Sequence, residues 1–186
     1  PTFRAIIGNP PYVEYHGLSS HESADLAQRY ETARGQFDLF APIIERSVAL
    51  LEPGGALAFV LPSTFLRAPR HAAVRRLVLR ELDVCEIVEH GDGVFERVAA
   101  PTCHIIARKI SGLRSRTMTY RRSTGETLQV DSQRWSHEHN AAISGVSAIQ
   151  EQWVAALRGA RTLGSVSTIR RGYPAGRKHP AWSSPD

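Results

Sequence analysis

Two cysteines, one methionine and no apolar run near the roughly 20 residues that a membrane helix needs: this 186-residue chain is first defined by what it lacks. Cys85 and Cys103 both fall inside apolar runs, which predicts buried free thiols in a reducing compartment rather than a disulfide. No Cys-x-x-Cys or His-Glu-x-x-His spacing occurs. Among eight histidines only His137 and His139 form a close pair, so no metal site is expected. Gly91-Asp92-Gly93 is not followed by Lys-Ser/Thr, which excludes a P-loop. Ser63 and Ser111 lack the surroundings of a nucleophile elbow. There is no internal repeat, and no secretory leader is expected, since Pro1-Thr2-Phe3-Arg4 runs directly into a strand-like segment. The chain does not begin with Met, and a processed or truncated product is the expectation.

What is present suits one well-buried domain plus a small appendage. Hydrophobic residues make up 42% and charged residues 22%, the balance of a globular protein. The net charge is +5, with Arg heavily favoured over Lys. A basic surface attracts polyanions and the planar guanidinium suits phosphate, although Arg-richness alone does not single out nucleic acid.

Four short apolar runs alternate with helical patterns. The runs are Arg4 to Gly8, Ala56 to Leu61, Val84 to Val88 and Cys103 to Arg108. The second is continuously apolar, as for a strand covered on both faces. Glu14 to Gln36 reads as loop with some helix. Phe37 to Leu51 reads as a helix with Phe40, Ile43, Ile44, Ser47, Val48 and Leu51 on one face, Asp38 as its N-cap and Pro42 in its first turn. Pro53-Gly54-Gly55 reads as a turn that stops it. Pro69 to Leu82 is a second predicted helix, with Val74, Leu77, Val78 and Leu82 inward. Arg70, Arg75, Arg76 and Arg80 take the opposite side, as a solvated face in preference to a DNA contact. Strands alternating with helices imply a largely parallel, doubly wound α/β sheet. Beyond it, Met118 to Arg122 and Thr127 to Asp131 are expected to pair around Ser123-Thr124-Gly125, and a short helix is expected from Ala148 to Leu157.

The most informative string is Asn9-Pro10-Pro11-Tyr12, directly behind the first apolar run. Prolines donate no backbone hydrogen bond, so carbonyls there stay free to accept one. The residue before a proline is driven to an extended conformation, which aims the Asn9 side chain out of the strand end. An amide, two rigid prolines and an aromatic ring are equipment for gripping a flat, amino-bearing substrate. In open α/β sheets such a site belongs beyond the carboxyl ends of the strands.

These four residues resemble the catalytic motif of the γ-type N6-adenine-specific DNA methyltransferases of restriction-modification systems. Phe37-Asp38-Leu39-Phe40, Leu51-Glu52-Pro53-Gly54-Gly55 and Phe59 to Leu66 are similar to the elements that follow in that family. Gly91 to Phe95 with Pro101 to Ile106 resembles its last motor-domain hairpin. Leu163 to Val166 with Ile169-Arg170-Arg171-Gly172 resembles the start of its target-recognition domain.

The resemblance implies the C-terminal half of a Rossmann-like methyltransferase sheet over residues 1–111. A β extension and linker helix would occupy 112–162, and the start of a target-recognition domain 163–186. It implies S-adenosylmethionine as methyl donor and double-stranded DNA with a flipped adenine as substrate. It also implies a bacterial or archaeal cytoplasmic setting and a fused or cognate restriction nuclease. Asn9, Pro10, Pro11 and Tyr12 become the catalytic residues, with Tyr12 and Phe95 stacking on the base. Arg170 and Arg171 become candidates for DNA-backbone contact. Phe65 competes with Phe95 on pattern. The family builds its main donor site ahead of its catalytic motif, and only eight residues precede Asn9, so weak donor binding by this chain is expected. Two other readings stay open: the same chemistry on a release-factor glutamine or a ribosomal-RNA guanine, and a non-catalytic DNA-binding remnant.

Overall fold

The computed structural model describes residues 1–91, 101–115, 117–145, 150, 152–153, 156–157, 159–161 and 163–168. These fall into two compact units, residues 1–147 and 148–186. The first is built on a six-stranded sheet comprising β1 (Phe3–Gly8), β2 (Leu51–Pro62), β3 (Leu82–Glu89), β4 (Thr102–Lys109), β5 (Thr117–Arg121) and β6 (Thr127–Asp131). The spatial order is β1-β2-β4-β3-β5-β6.

All four predicted apolar runs are strands, and the predicted hairpin is present as β5 and β6. Its turn carries Gly125 at φ +88°, a left-handed conformation that glycine adopts without a Cβ clash. The expected largely parallel pairing is corrected. β1 with β2 and β3 with β5 are parallel, but β4 lies antiparallel between β2 and β3, and β6 is antiparallel to β5. β1, β2, β3 and β5 therefore all point one way. Their carboxyl ends share one edge with the start of β4, where Glu89 pairs with Cys103 and Pro62 with Thr102.

The helices of this unit are α1 (Ser20–Arg29), α2 (Phe40–Leu50), α3 (Thr64–Arg67) and α4 (Ala72–Glu81). A capping box starts α1: Ser19 Oγ accepts from the Glu22 N–H at 3.2 Å and the Glu22 carboxylate accepts from the Ser19 N–H at 2.9 Å. α2 begins at Phe40 behind Leu39, not at an Asp38 cap, and Leu51 already belongs to β2. The Asp38 side chain is drawn away to charged partners described below, which is why it does not cap. Pro42 lies in the first turn of α2, as expected. The predicted second helix is divided: a 3-10 turn, Pro69–His71, precedes α4.

The core lies on one face of the sheet. Leu57, Phe59 and Leu61 of β2, Ile87 of β3, and Cys103, Ile105 and Ala107 of β4 are buried with Phe40, Ile44 and Val48 of α2 and Val74, Leu77 and Val78 of α4. Burying each large aliphatic side chain contributes about 1.5–3 kcal/mol. The opposite face is not covered to the same degree: Ala56, Ala58 and Val60 alternate with the buried residues and are only half-buried. The expectation of two covered faces for β2 is thus corrected within the described residues.

Pro53-Gly54-Gly55 does not stop a helix but sits inside β2 as an irregularity. Phe3 pairs with Leu51 and Ala5 with Ala56, so β2 spends extra residues there. Gly54 has φ +77°, and a Cβ on Gly55 would lie 2.9 Å from the Glu52 carbonyl oxygen.

Arg75 overturns the expected solvated face of α4. It is fully buried, whereas Arg76 and Arg80 are exposed. Its Nη1 donates to the Phe65 and Ala68 carbonyls at 2.6 and 2.9 Å, and its Nε and Nη2 reach the Asn140 and Ala141 carbonyls. Asn140 and Ala141 have φ of 58° and 51°, strained for residues with a Cβ. Segment 132–145 also buries Trp135, whose Nε1 donates to the Ser144 carbonyl at 3.2 Å.

In the second unit, Gln150, Gln152, Trp153 and Ala156 have helical backbone within the predicted 148–157 span and Leu157 lies in a turn, while the span's other residues lie outside the described ones. α5 (Leu163–Val166) follows.

Candidate active site at the carboxyl edge of the sheet

β1 ends at Gly8 and delivers Asn9-Pro10-Pro11-Tyr12 to the carboxyl edge. A Cβ on Gly8 would lie 3.3 Å from the Phe59 ring, so a glycine there lets the strand end sit close to β2. Asn9 and Pro11 are exposed, Pro10 is buried and Tyr12 is half-buried. Among the described residues the Asn9 amide makes no hydrogen bond within the protein, so its oxygen and nitrogen are both available to a ligand. The Tyr12 hydroxyl is buried without a partner among the described residues, and burial pushes its pKa up, with the nearby Cys103 adding to the effect. The remaining exposure of Tyr12 belongs to its other atoms.

The chain beyond Tyr12 is stitched to the entrance of α2. The Leu39 N–H donates to the Val13 carbonyl at 2.8 Å, and Glu14 forms an isolated antiparallel bridge with Asp38. Arg70 Nη2 donates to Glu14 Oε1 and to Asp38 Oδ2, both at 3.3 Å. His71 Nε2 stands 3.3 Å from the same Asp38 oxygen, without hydrogen-bond alignment. The His71 ring packs against Phe40, with centroids 4.9 Å apart. Burial raises the Asp38 pKa, and Arg70 opposes that shift. Burial, with Arg70 and Arg75 nearby, pushes His71 down to about 3, so it is neutral at ordinary pH. Glu14, Tyr15, His16, Gln36, Phe37, Asp38 and Arg70 line a cleft of about 140 Å³ here.

Farther along the same edge, Glu89 accepts from the Tyr120 hydroxyl and from Arg67, whose Nη2 also donates to Tyr120 Oη at 3.3 Å. The Ser63 N–H donates to the Pro101 carbonyl and the His90 N–H to the Thr102 carbonyl, both at 2.8 Å. His90 Nε2 and His104 Nδ1 are 2.9 Å apart, and burial followed by His90 lowers the His104 pKa. Cys103 is fully buried and its thiol is pushed up to about 12 by burial. Cys85 is half-buried, also free, and shifted in the same direction.

The structure therefore brings the four motif residues together at a strand end and joins them to the Phe37-Asp38-Leu39-Phe40 element. Phe65 is removed as a stacking candidate: it is fully buried and packs edge-on against Phe40, with centroids 6.2 Å apart. Phe95, Arg170 and Arg171 lie outside the described residues. Sequence reading missed Arg67, Glu89 and Tyr120, as well as the engagement of Asp38 by Arg70 and His71. Those partners are remote in the chain and meet only through the fold. Among the described residues no group of three or more His, Cys, Asp or Glu side chains could hold a metal ion. No helix among them is long and apolar enough to cross a membrane.

The sheet, with its antiparallel strand inserted between two parallel ones and its loop cluster at one edge, is a Rossmann-like fold of the S-adenosylmethionine-dependent methyltransferase class. A Listeria monocytogenes protein assigned to class I of those methyltransferases superposes with a TM-score of 0.54 at 17% identity, covering 65% of this chain and 36% of that one. The chain belongs to the Eco57I restriction-modification methylase family, whose model matches residues 1–95. It is 30% identical over 111 residues to the type II restriction enzyme and methyltransferase RM.Eco57I of Escherichia coli, a match covering 58% of this chain and 11% of that protein. It is 29% identical over 113 residues to the type II methyltransferase M.PaeR7I of Pseudomonas aeruginosa, covering 59% of this chain and 20% of that protein. The chain thus spans a minor part of the length of these relatives.

Proposed function

We propose that this chain forms the catalytic edge of an adenine-specific DNA methyltransferase of a restriction-modification system, acting on the 6-amino group of an adenine turned out of the duplex. The observation that carries this reading is the Asn9 side chain: exposed at the end of β1, making no hydrogen bond within the described protein, and followed by two prolines.

An adenine amino nitrogen is a poor nucleophile because its lone pair is delocalised into the ring. Two acceptors at its hydrogens draw it toward tetrahedral geometry and direct the lone pair outward. In this reading the Asn9 Oδ1 and the Pro10 carbonyl are those acceptors, acting by position and electrostatics with no strong base. The base must leave the stack to reach them. Tyr12 stacks on the extruded ring, worth roughly 1–3 kcal/mol against the cost of unstacking. Its buried hydroxyl makes no hydrogen bond among the described residues, so the role rests on the ring. Phe95 is proposed as the second stacking ring, and Arg170 and Arg171 as contacts to the DNA backbone.

S-adenosylmethionine is the methyl donor this reading implies. Among the described residues the cleft does not offer a free acidic group to hold it: Asp38, the more buried of the two acidic side chains lining the cleft, is already bonded to Arg70. No step is assigned to the donor.

The test is Asn9→Ala in an active enzyme that carries this chain, assayed by transfer of labelled methyl to duplex DNA. A loss of about 10²–10³ in rate is expected from removing one positioned acceptor. An unchanged rate, or label on cytosine or on protein, overturns the reading.

A further inference from the structure

We propose that Arg70 is a positioning residue for the Asn9–Tyr12 loop, clamping the chain that leaves Tyr12 to the entrance of α2. This rests on the functional reading above and extends it to a residue that no motif marks.

The clamp is built from three elements. Val13 and Glu14 continue from the motif. Asp38 and Leu39 lead into α2. Arg70 lies in the 3-10 turn ahead of α4. The pairing between the first two consists of one amide hydrogen bond, Leu39 N–H to the Val13 carbonyl, and the isolated Glu14–Asp38 bridge. Two-residue pairing has little strength alone. It also sets two acidic side chains near each other, at positions where they repel.

A single nitrogen resolves that repulsion. Arg70 Nη2 donates to one oxygen of each carboxylate, at 3.3 Å in both cases. The two ends differ in kind. The Asp38 side chain is only 7% exposed, so its bond is shielded from water, whereas the Glu14 side chain is 65% exposed. Asp38 is the fixed jaw, backed by the buried His71 ring. Glu14 is the moving jaw, and the motif is attached to it two residues upstream. An exposed ion pair contributes little to global stability. Its effect is local, on the direction in which Tyr12 and Asn9 leave β1. Misplacement of a reacting group by about 1 Å can cost on the order of 100-fold in rate, so a weak clamp has a large lever.

Two readouts test this. In the 186-residue chain, hydrogen exchange of the Leu39 amide reports the clamp directly, with the Ile105 amide in β4 as the reference for global opening. Arg70→Met is expected to speed Leu39 exchange about tenfold or more while leaving Ile105 unchanged. Arg70→Lys, which keeps the charge on a shorter side chain, is expected to fall between. In an active enzyme carrying the chain, Arg70→Met is expected to lower kcat about tenfold or more with the KM for DNA within about twofold, and Arg70→Lys to restore part of kcat. Unchanged Leu39 exchange in Arg70→Met overturns the clamp. Faster exchange with unaltered kcat overturns its link to the chemistry. Absence of methylation by the unsubstituted enzyme would sink the functional reading instead, while the exchange measurement still decides the clamp.

Discussion

Arg75 Nη1 donates to the Phe65 carbonyl at 2.6 Å from a side chain with no solvent exposure, so a charged group lies in the core and serves main-chain acceptors alone. Burial, with Arg76 nearby, lowers its pKa to about 10, which leaves it protonated at neutral pH. Carbonyls from Phe65 and Ala68 on one side and Asn140 and Ala141 on the other converge on it. Arg75→Met would strand those carbonyls and relax the support of the left-handed backbone at Asn140 and Ala141. We predict a loss of about 3 kcal/mol or more in urea unfolding. Arg75→Lys is expected to recover only part, because one ammonium cannot reach both groups of carbonyls.

Gly55 is the second structural test. A Cβ there meets three main-chain oxygens, Glu52 at 2.9 Å, Phe3 at 3.1 Å and Arg4 at 3.2 Å. Backbone cannot swing aside as a side chain can. Gly55→Ala is expected to destabilise by about 1–3 kcal/mol and to loosen β1, with faster hydrogen exchange at Ile6 and Ile7 as its signature.

Tyr12 separates ring from hydroxyl. Because the Oη is buried without a partner among the described residues, Tyr12→Phe removes an uncompensated polar group. Stability should stay level or rise by up to about 1 kcal/mol, and methylation should persist. Tyr12→Ala keeps no ring and should lose roughly 1–3 kcal/mol of base stacking, seen as weaker binding of DNA carrying an extruded base. Equal defects in both variants would move the role of Tyr12 from its ring to its hydroxyl.

His71 sets an acid limit. Its folded pKa of about 3 lies below the ordinary value of 6.5, so the unfolded chain takes up a proton that the folded chain refuses. The stability it contributes is therefore complete above about pH 6.5 and is lost as pH falls toward about 3, with a slope approaching ~1.4 kcal/mol per pH unit. Asp38, with a raised pKa, acts in the opposite sense and favours the folded state at the acid end of that window. Unfolding midpoints of the native chain and of His71→Gln, measured from pH 7 to 4, should converge as pH falls. Parallel curves would show that His71 is protonated in the folded state.

The strands were legible because Ile6, Leu57, Ile87 and Ile105 sit in short apolar runs bounded by turns, and a strand buried on one face tolerates that composition. The direction of β4 was not. Cys103 to Arg108 reads the same whichever way its neighbours run, and only the Glu89–Cys103 and Pro62–Thr102 pairings reveal the reversal. The start of α1 was legible but overlooked: Ser19 followed three residues later by Glu22 is a capping-box signature. At the site, Asn9 to Tyr12 could be placed from Pro geometry and the preceding run. Asp38 could not. A helix cap and a buried ion-pair partner look alike in sequence, and the deciding residues, Arg70 and His71, arrive from another element. Arg75 misled for a related reason. Its α4 neighbours Arg76 and Arg80 are solvated, and burial of one Arg in such a series depends on carbonyls contributed by a segment some 65 residues away.

The register of β1 carries a consequence for the order in which the molecule assembles. β3 meets β4, and β5 meets β6, between neighbouring stretches of chain, so those ladders need only short loops to close. Ile6 instead finds Leu57 after everything through α2 has been placed. Closing a longer loop costs more entropy before any contact offsets it, and such pairings slow folding. Of these strands β1 is thus expected to join β2 late, and Asn9 to Tyr12, attached to its end, to become organised only after that pairing forms.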